Sequence, residues 1–260
     1  MSERAERVLI TGASRGIGRA AAMAFARRGF EVVLAARSRP ELEAAAREIE
    51  AMGTKAQVVS MDVTDDDAVV AATSEILRAG PVDVLVNNAG VFQQQPFLAQ
   101  DPAWRRREME VNYFGPLRVT AAILPSMIAR GRGTIVNVSS LVGAIPCPSV
   151  ASYSATKAAL SAWSHALRGE VEQHGVRVVV FLPSHTDTEQ ARASTRFDGV
   201  YALKVDYVAQ ELVRAARLAP RAYAASPFFR VFLRIAGAFP SFAEARMRAT
   251  TRALLAAHSV

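Results

Sequence analysis

Tyr153 and Lys157 stand four residues apart in the stretch Ser152–Tyr153–Ser154–Ala155–Thr156–Lys157. On a helix, positions i and i+4 share a face. An ammonium there can lie near the phenol and favour its ionised form. A group with an ordinary pKa of about 10 then becomes a usable proton donor and acceptor. The 260-residue chain holds only three lysines, Lys55, Lys157 and Lys204, against 28 arginines. A lysine at this spacing is therefore not what composition alone would place there. The plain alternative is a half-exposed tyrosine beside a solvated lysine, and other segments must decide.

The N-terminal segment supplies a second chemistry. Val8–Leu9–Ile10 reads as a buried strand and leads into Thr11–Gly12–Ala13–Ser14–Arg15–Gly16–Ile17–Gly18. A helix follows to Arg28 and is closed by Gly29. Strand, glycine turn and helix start together form a phosphate-binding corner, because the backbone can turn tightly and admit a pyrophosphate to the helix N-terminus. The glycines fall at 12, 16 and 18 rather than in the G-x-G-x-x-G spacing. Ordinary turns also use glycine, so the strand before and the helix after carry the signal.

These residues must be positioned by an alternation of strands and helices that reads as a doubly wound parallel sheet. The predicted strands are Arg7–Ile10, Glu31–Ala36, Lys55–Ser60, Val82–Asn87, Gly133–Ser139, Val176–Leu182 and Arg221–Ala225. The predicted helices are Gly16–Arg28, Pro40–Met52, Asp65–Arg78, a long region from Asp101 to Arg130 containing Pro116 and Pro125, Ala151–His174, and Asp206–Leu218. Right-handed crossovers put the strand C-termini along one edge. Gly12, Arg37, Asp62, Asn88, Ser140 and Pro183 all fall at such ends.

The chain resembles a short-chain dehydrogenase/reductase. Thr11–Gly18 fits T-G-x-x-x-G-x-G, Asn87–Asn88–Ala89–Gly90 fits N-N-A-G, and Tyr153 with Lys157 fits Y-x-x-x-K. Ser140, thirteen residues before the tyrosine, and Asn112, in Val111–Asn112–Tyr113, match the family's catalytic serine and asparagine. The resemblance covers residues 6 to 225 and departs at Pro183–Ser184, where the family has Pro-Gly. It implies a Rossmann-type α/β fold, a doubly wound parallel sheet of about seven strands with helices on both faces.

The resemblance also implies a catalytic set of Asn112, Ser140, Tyr153 and Lys157. Tyr153 would give its proton to a carbonyl oxygen. Ser140 would hold that oxygen, and Lys157 would favour the phenolate and bind the nicotinamide ribose. Asn112 would bend its helix and hold a water in a relay to Lys157. Ser139 is expected to face the other way on its strand. The implied cofactor cradle is Gly12, Ser14, Arg15, Gly16, Ile17, Gly18, Arg37, Asp62, Val63, Asn88, Ala89, Gly90, Tyr153, Lys157, Pro183, Thr186 and Thr188. Asp62 and Val63 would flank the adenine, with Asn88–Ala89–Gly90 against its ribose.

The second strand ends at Ala36–Arg37–Ser38 without the carboxylate that binds a ribose 2′-hydroxyl. Arg37 and Arg15 can instead meet a 2′-phosphate, so the expected cofactor is NADP (NADPH). The expected function is hydride transfer between NADP(H) and a carbonyl or secondary alcohol, an apolar ketone or aldehyde. Two alternatives stay open: an NAD-dependent alcohol dehydrogenase, and a catalytically idle NADP-binding module. Residues 91–98, the 185–205 loop and the C-terminal extension would shape the substrate pocket. The latter loop carries His185, Glu189, Arg192 and Arg196. The four histidines show no metal-ligand spacing, and no metal is expected.

Charge is informative by its distribution. Residues 1–213 hold 23 basic and 23 acidic side chains, while 214–260 hold eight arginines against Glu244 alone. No basic patch runs across the catalytic body, and no nucleic-acid partner is expected. Cys147 is the only cysteine, in keeping with a reducing compartment. Neither a signal peptide nor a spanning helix is read, and the expected location is cytoplasmic.

Residues 1–260 read as a single dinucleotide-binding catalytic domain, with 226–260 as its amphipathic basic extension. Phe228, Phe232, Ile235, Phe239 and Phe242 are placed on one helical face, Arg230 and Arg234 on another, with a second basic helix over Phe242–Ala257. This face either packs on the cleft or a neighbouring subunit, or makes peripheral contact with a membrane. A homodimer or homotetramer is expected through the helix Ala151–His174, which carries Ala158, Ala159, Leu160, Ala162 and Trp163.

Overall fold

The computed structural model describes residues 4–194, 201–252 and 256. Arg196, and residues 253–255 and 257 of the expected second basic helix, lie outside these.

Short runs of valine, isoleucine and leucine make the strands, as expected where both faces of a parallel sheet are covered. They are β1 (Arg7–Thr11), β2 (Glu31–Ala36), β3 (Ala56–Ser60), β4 (Val84–Asn87), β5 (Gly133–Val138), β6 (Val176–Leu182) and β7 (Ala222–Ala224). Among the described residues they form one seven-stranded sheet, every neighbouring pair parallel, in the order β3-β2-β1-β4-β5-β6-β7. The order reverses between β1 and β4, which opens a crevice at the strand C-termini.

Helices cover both faces. α1 (Gly16–Ala26), α2 (Arg39–Glu50) and α9 (Val205–Leu218) bury Phe25, Leu42 and Leu212 against Val8, Ile10, Leu34 and Phe181. On the other face α3 (Asp66–Ala79), α5 (Gly115–Ala129) and α7 (Ala151–Val171) bury Ile76, Ile123 and Leu167 against Leu9, Val33, Leu85 and Ile135. Along β1, β2 and β4 residues alternate between the two cores, as the pleat requires. Asp65 caps α3 by accepting from Ala68 N at 3.0 Å.

The region expected as one long helix is broken. α4 (Pro102–Met109) passes through a π turn at Glu110–Phe114 into α5. That turn contains Asn112, and such single π turns are common at functional sites. α6 (Leu141–Ala144) and α8 (Glu189–Ser194) were not expected. They are too short to show a helical period.

The extension folds as α10 (Pro227–Ala238) and α11 (Pro240–Ala249), broken at Phe239. Its expected single apolar face is corrected. Phe232 turns inward with Phe229, Leu233 and Ala236, whereas Phe228, Ile235, Phe239 and Phe242 are exposed. The period places neighbouring positions on a face but does not say which side of a two-sided helix meets the core.

Candidate active site

The corner after β1 is shaped by close approach. Gly12 has φ +65, and a Cβ there would come within 2.8 Å of Ala89 Cα. Gly18 packs deeper, where a Cβ would meet Gly12 O at 2.2 Å and Asn88 Nδ2 at 2.4 Å. Thr11 Oγ1 accepts from Asn88 N at 3.0 Å and Ala89 N at 3.1 Å, and Asn88 Nδ2 donates to Thr11 O at 3.0 Å. The two loops are thereby locked side by side. Asn87 serves the scaffold, donating to Thr120 Oγ1 at 3.0 Å and Asn137 Oδ1 at 2.8 Å.

A cleft of about 1270 Å³ runs along this edge. It exceeds the roughly 300–1,000 Å³ of a pocket for one small molecule, leaving room for a dinucleotide and a second ligand. Its wall brings together Gly12, Ser14, Arg15, Gly16, Ile17, Arg37, Asp62, Val63, Asn88, Ala89 and Gly90 with Ser140, Tyr153, Lys157, Pro183, Thr186 and Thr188. Two expected site residues do not line it. Gly18 fills the packing position just described. Asn112 is wholly buried behind Gly90, where a Gly90 Cβ would sit 3.2 Å from Asn112 Oδ1 and 3.6 Å from Lys157 Nζ.

Asn112 pairs with the backbone on both sides of its amide. Its Oδ1 accepts from Val91 N and its Nδ2 donates to Val91 O, both at 2.8 Å. Nδ2 also reaches Thr156 Oγ1 at 3.2 Å, which ties the loop after β4 to α7.

At the Tyr153 end of the cleft, Ser140 caps α6, its Oγ accepting from Val142 N at 3.3 Å, and it hydrogen-bonds Tyr153. Ser139 points away, donating to Lys157 O at 2.9 Å. Lys157 is 3 % exposed and its Nζ donates to Val138 O at 2.8 Å. Burial pushes the Tyr153 phenol up to about 12. The Ser140 hydrogen bond lowers it and the Glu108 charge raises it further. Burial likewise lowers the Lys157 ammonium to about 8.

At the far end, burial would raise the Asp62 carboxyl. Two hydrogen bonds from Thr64, with the charges of Arg37 and Arg107, outweigh it and hold Asp62 below its ordinary value. Arg37 Nη1 lies 3.9 Å from Asp62 Oδ2.

The cleft also has residues that sequence reasoning missed. Glu41, in the first turn of α2, lines it near Arg37. Ser184, at the departure from the family pattern, lines it with a buried Oγ that has no partner among the described residues. In the segments expected to shape the pocket, Phe92 is tilted against the Tyr153 ring with centroids 5.4 Å apart, and Phe228, Phe229, Phe232, Arg246 and Met247 bring the C-terminal helices into the wall. Glu108, wholly buried behind Tyr153, accepts from Gln93 N at 3.0 Å and Trp104 Nε1 at 3.2 Å, and from Ser152 Oγ. A single acid in a charged helix reads as solvated, so only the packing shows it.

The wall suits a dinucleotide phosphate by three observations. The glycine turn leaves backbone open at the N-terminus of α1, Arg15 and Arg37 stand exposed beside it, and Ser184 Oγ has no partner among the described residues. Among the described residues no His, Cys, Asp and Glu cluster is arranged to hold a metal, and no helix is long and apolar enough to cross a membrane.

A family model described as short chain dehydrogenase matches residues 6–198. The chain is 39% identical over 199 residues to the bovine (Bos taurus) protein named dehydrogenase/reductase SDR family member 7B, covering 74% of this chain and 61% of that one. A metagenomic short-chain oxidoreductase solved with NADP is similar at 36% identity and TM-score 0.71, covering 81% of this chain and 90% of the other. An alcohol dehydrogenase from the archaeon Thermococcus sibiricus, solved with 5-hydroxy-NADP, is similar at 31% identity and TM-score 0.76, covering 85% and 96%.

Proposed function

From the premise that this chain belongs to the short-chain dehydrogenase family, we propose that it is an NADP-dependent oxidoreductase that reduces an apolar ketone or aldehyde, or oxidises the matching alcohol. The observation that carries this reading is the meeting of Ser140, Tyr153 and Lys157 at one end of a cleft whose other end holds the glycine turn, Arg15 and Arg37.

NADPH, when bound, supplies the hydride. Tyr153 donates its phenolic proton to the carbonyl oxygen, and Ser140 holds that oxygen beside it. Lys157, buried on the same helix face, would hold the nicotinamide ribose. Asn112 positions α7 and the loop after β4 through Thr156 and Val91. Arg15 and Arg37 would take the 2′-phosphate, and Asp62 and Val63 would border the adenine. Two similar solved proteins carrying NADP or its 5-hydroxy form support this assignment. Phe92, Phe228, Phe229, Phe232 and Met247 give the substrate end an apolar wall.

NAD is the second reading, favoured by Glu41 in the cleft wall and by the Asp62 carboxylate beside Arg37. The whole enzyme is expected to be a homodimer or homotetramer, with the outer face of α7 as the subunit contact. Light scattering at micromolar concentration checks this, and a monomer would refute it. The catalytic reading is tested by following NADPH and NADH consumption against a panel of ketones and aldehydes. Preferential NADPH oxidation supports it. Tight cofactor binding with no turnover on any carbonyl would leave only a binding module.

A further inference from the structure

The α10–α11 hairpin has two apolar faces. The inner one is used by the fold. Phe229 and Leu233 pack on Val180, Leu182 and Ala224, and Phe232 and Ala236 pack with Ile145, Ala243 and Met247. The outer one is bare. Phe228, Val231, Ile235, Phe239 and Phe242 are all exposed, Phe228 to 69% and Phe239 to 65%. In α10 the steps from 228 to 231 to 235 follow one side of a helix. Phe239 at the break and Phe242 in α11 continue the stripe. A contiguous apolar patch of this kind marks a contact surface.

Charge selects the occupant. Arg230 is turned inward onto Glu211 at 2.7 Å. Arg234, Arg246 and Arg252 are exposed and make no ion pair among the described residues, and Arg248 reaches only Glu244, at 3.9 Å. Residues 226–260 hold five arginines and one glutamate, a net charge of +4. A two-fold contact with a second copy through this patch would bring each set of arginines against its twin. An anionic lipid surface meets both properties, taking phenylalanine into the acyl boundary and arginine at the headgroups. The twelve residues of α10 are too few to cross a bilayer, so the hairpin would lie in its plane.

We propose that the outer face of α10–α11 docks on an anionic lipid bilayer. Phe228 belongs both to the exposed stripe and to the cleft wall. Docking therefore sets the cleft mouth at the membrane surface. Given the proposed carbonyl reduction, an apolar substrate enters from the lipid phase rather than from water.

The test is co-sedimentation of the full chain with vesicles of phosphatidylcholine alone and of phosphatidylcholine mixed with phosphatidylserine. It reads lipid binding without turnover, so it stands apart from the catalytic assay. Binding to the anionic vesicles, weakened by salt and reduced about tenfold or more in Phe239→Ser/Phe242→Ser, supports docking. Thermal unfolding shows whether that variant stays folded. If it does not, Arg234→Gln/Arg252→Gln reads the same contact and is expected to weaken binding to anionic vesicles selectively. The proposal is overturned by no binding at low salt, or by equal binding to neutral vesicles. It is also overturned if a folded phenylalanine variant binds as well as wild type, or changes oligomeric state in the absence of lipid.

Discussion

Lys157 Nζ lies 5.7 Å from the centroid of the Tyr153 ring and donates to the Val138 carbonyl at 2.8 Å. The two residues share a helix face, as their spacing requires. The electrostatic outcome is the reverse of the sequence expectation, in which the ammonium favours the phenolate. Burial penalises both charged forms, holding the phenol at about 12 and the ammonium at about 8. Tyr153 is therefore a protonated phenol at neutral pH, as the proposed donation of a proton to a carbonyl oxygen requires. Alcohol oxidation, which needs that proton removed, is expected to gain rate as pH rises.

The Lys157 ammonium should leave a signature in the stability of the cofactor-free protein. Its folded pKa of about 8 is below the 10.5 of the free side chain. Between those values the unfolded chain holds a proton that the folded chain has released, so this group makes stability rise with pH across the window. Below pH 8 the buried charge costs on the order of 3 kcal/mol. Urea unfolding of wild type and Lys157→Met should show Met favoured near neutral pH and the gap closing toward pH 10. A gap independent of pH would mean that Lys157 titrates normally in the fold.

Arg37 is the residue to test for cofactor choice. Its side chain is 60% exposed, which places the proposed phosphate contact at the weak end of charge-assisted hydrogen bonds, about 1.5 kcal/mol or roughly tenfold. Arg37→Ala should weaken NADP binding by that factor in a calorimetric titration and leave NAD affinity nearly unchanged. Equal losses for both would remove Arg37 from the 2′-phosphate site.

The sheet was legible because parallel strands buried on both faces carry unbroken apolar runs, such as Val32–Val33–Leu34 and Val178–Val179–Val180. The cleft was legible because the glycine turn, Asn88 and Ser140 lie at strand ends, and topology gathers those ends on one edge. What was hidden depends on side-chain direction. Asn112 sits in a helical region, and only the π turn and its pairing with Val91 show it to be behind the cleft. Ser184 and Glu41 have no periodic or spacing signal. The extension's phenylalanines announced an apolar helix, but not that Phe229 and Phe232 would face the cleft while Phe239 and Phe242 face out.

Glu108 is a positioning residue reached only through packing. It holds the loop before α4 through Gln93 and the start of α7 through Ser152, and its charge raises the Tyr153 phenol. Glu108→Gln removes the charge and leaves at least one buried donor poorly met, at a cost of about 1–3 kcal/mol of stability. It should also move the pH profile of alcohol oxidation to lower pH, since the phenol then ionises more easily. A profile unmoved despite lost stability would show that Glu108 supports the fold alone.

Proton donation by Tyr153 is the centre of this account. Single-turnover oxidation of NADPH by a reactive carbonyl should be measured in wild type and Tyr153→Phe, with NADPH affinity determined for both by fluorescence. Loss of the phenolic proton should slow the chemical step by about 10²–10⁴-fold while NADPH affinity stays close to wild type. A Phe variant that turns over near the wild-type rate would contradict the assignment.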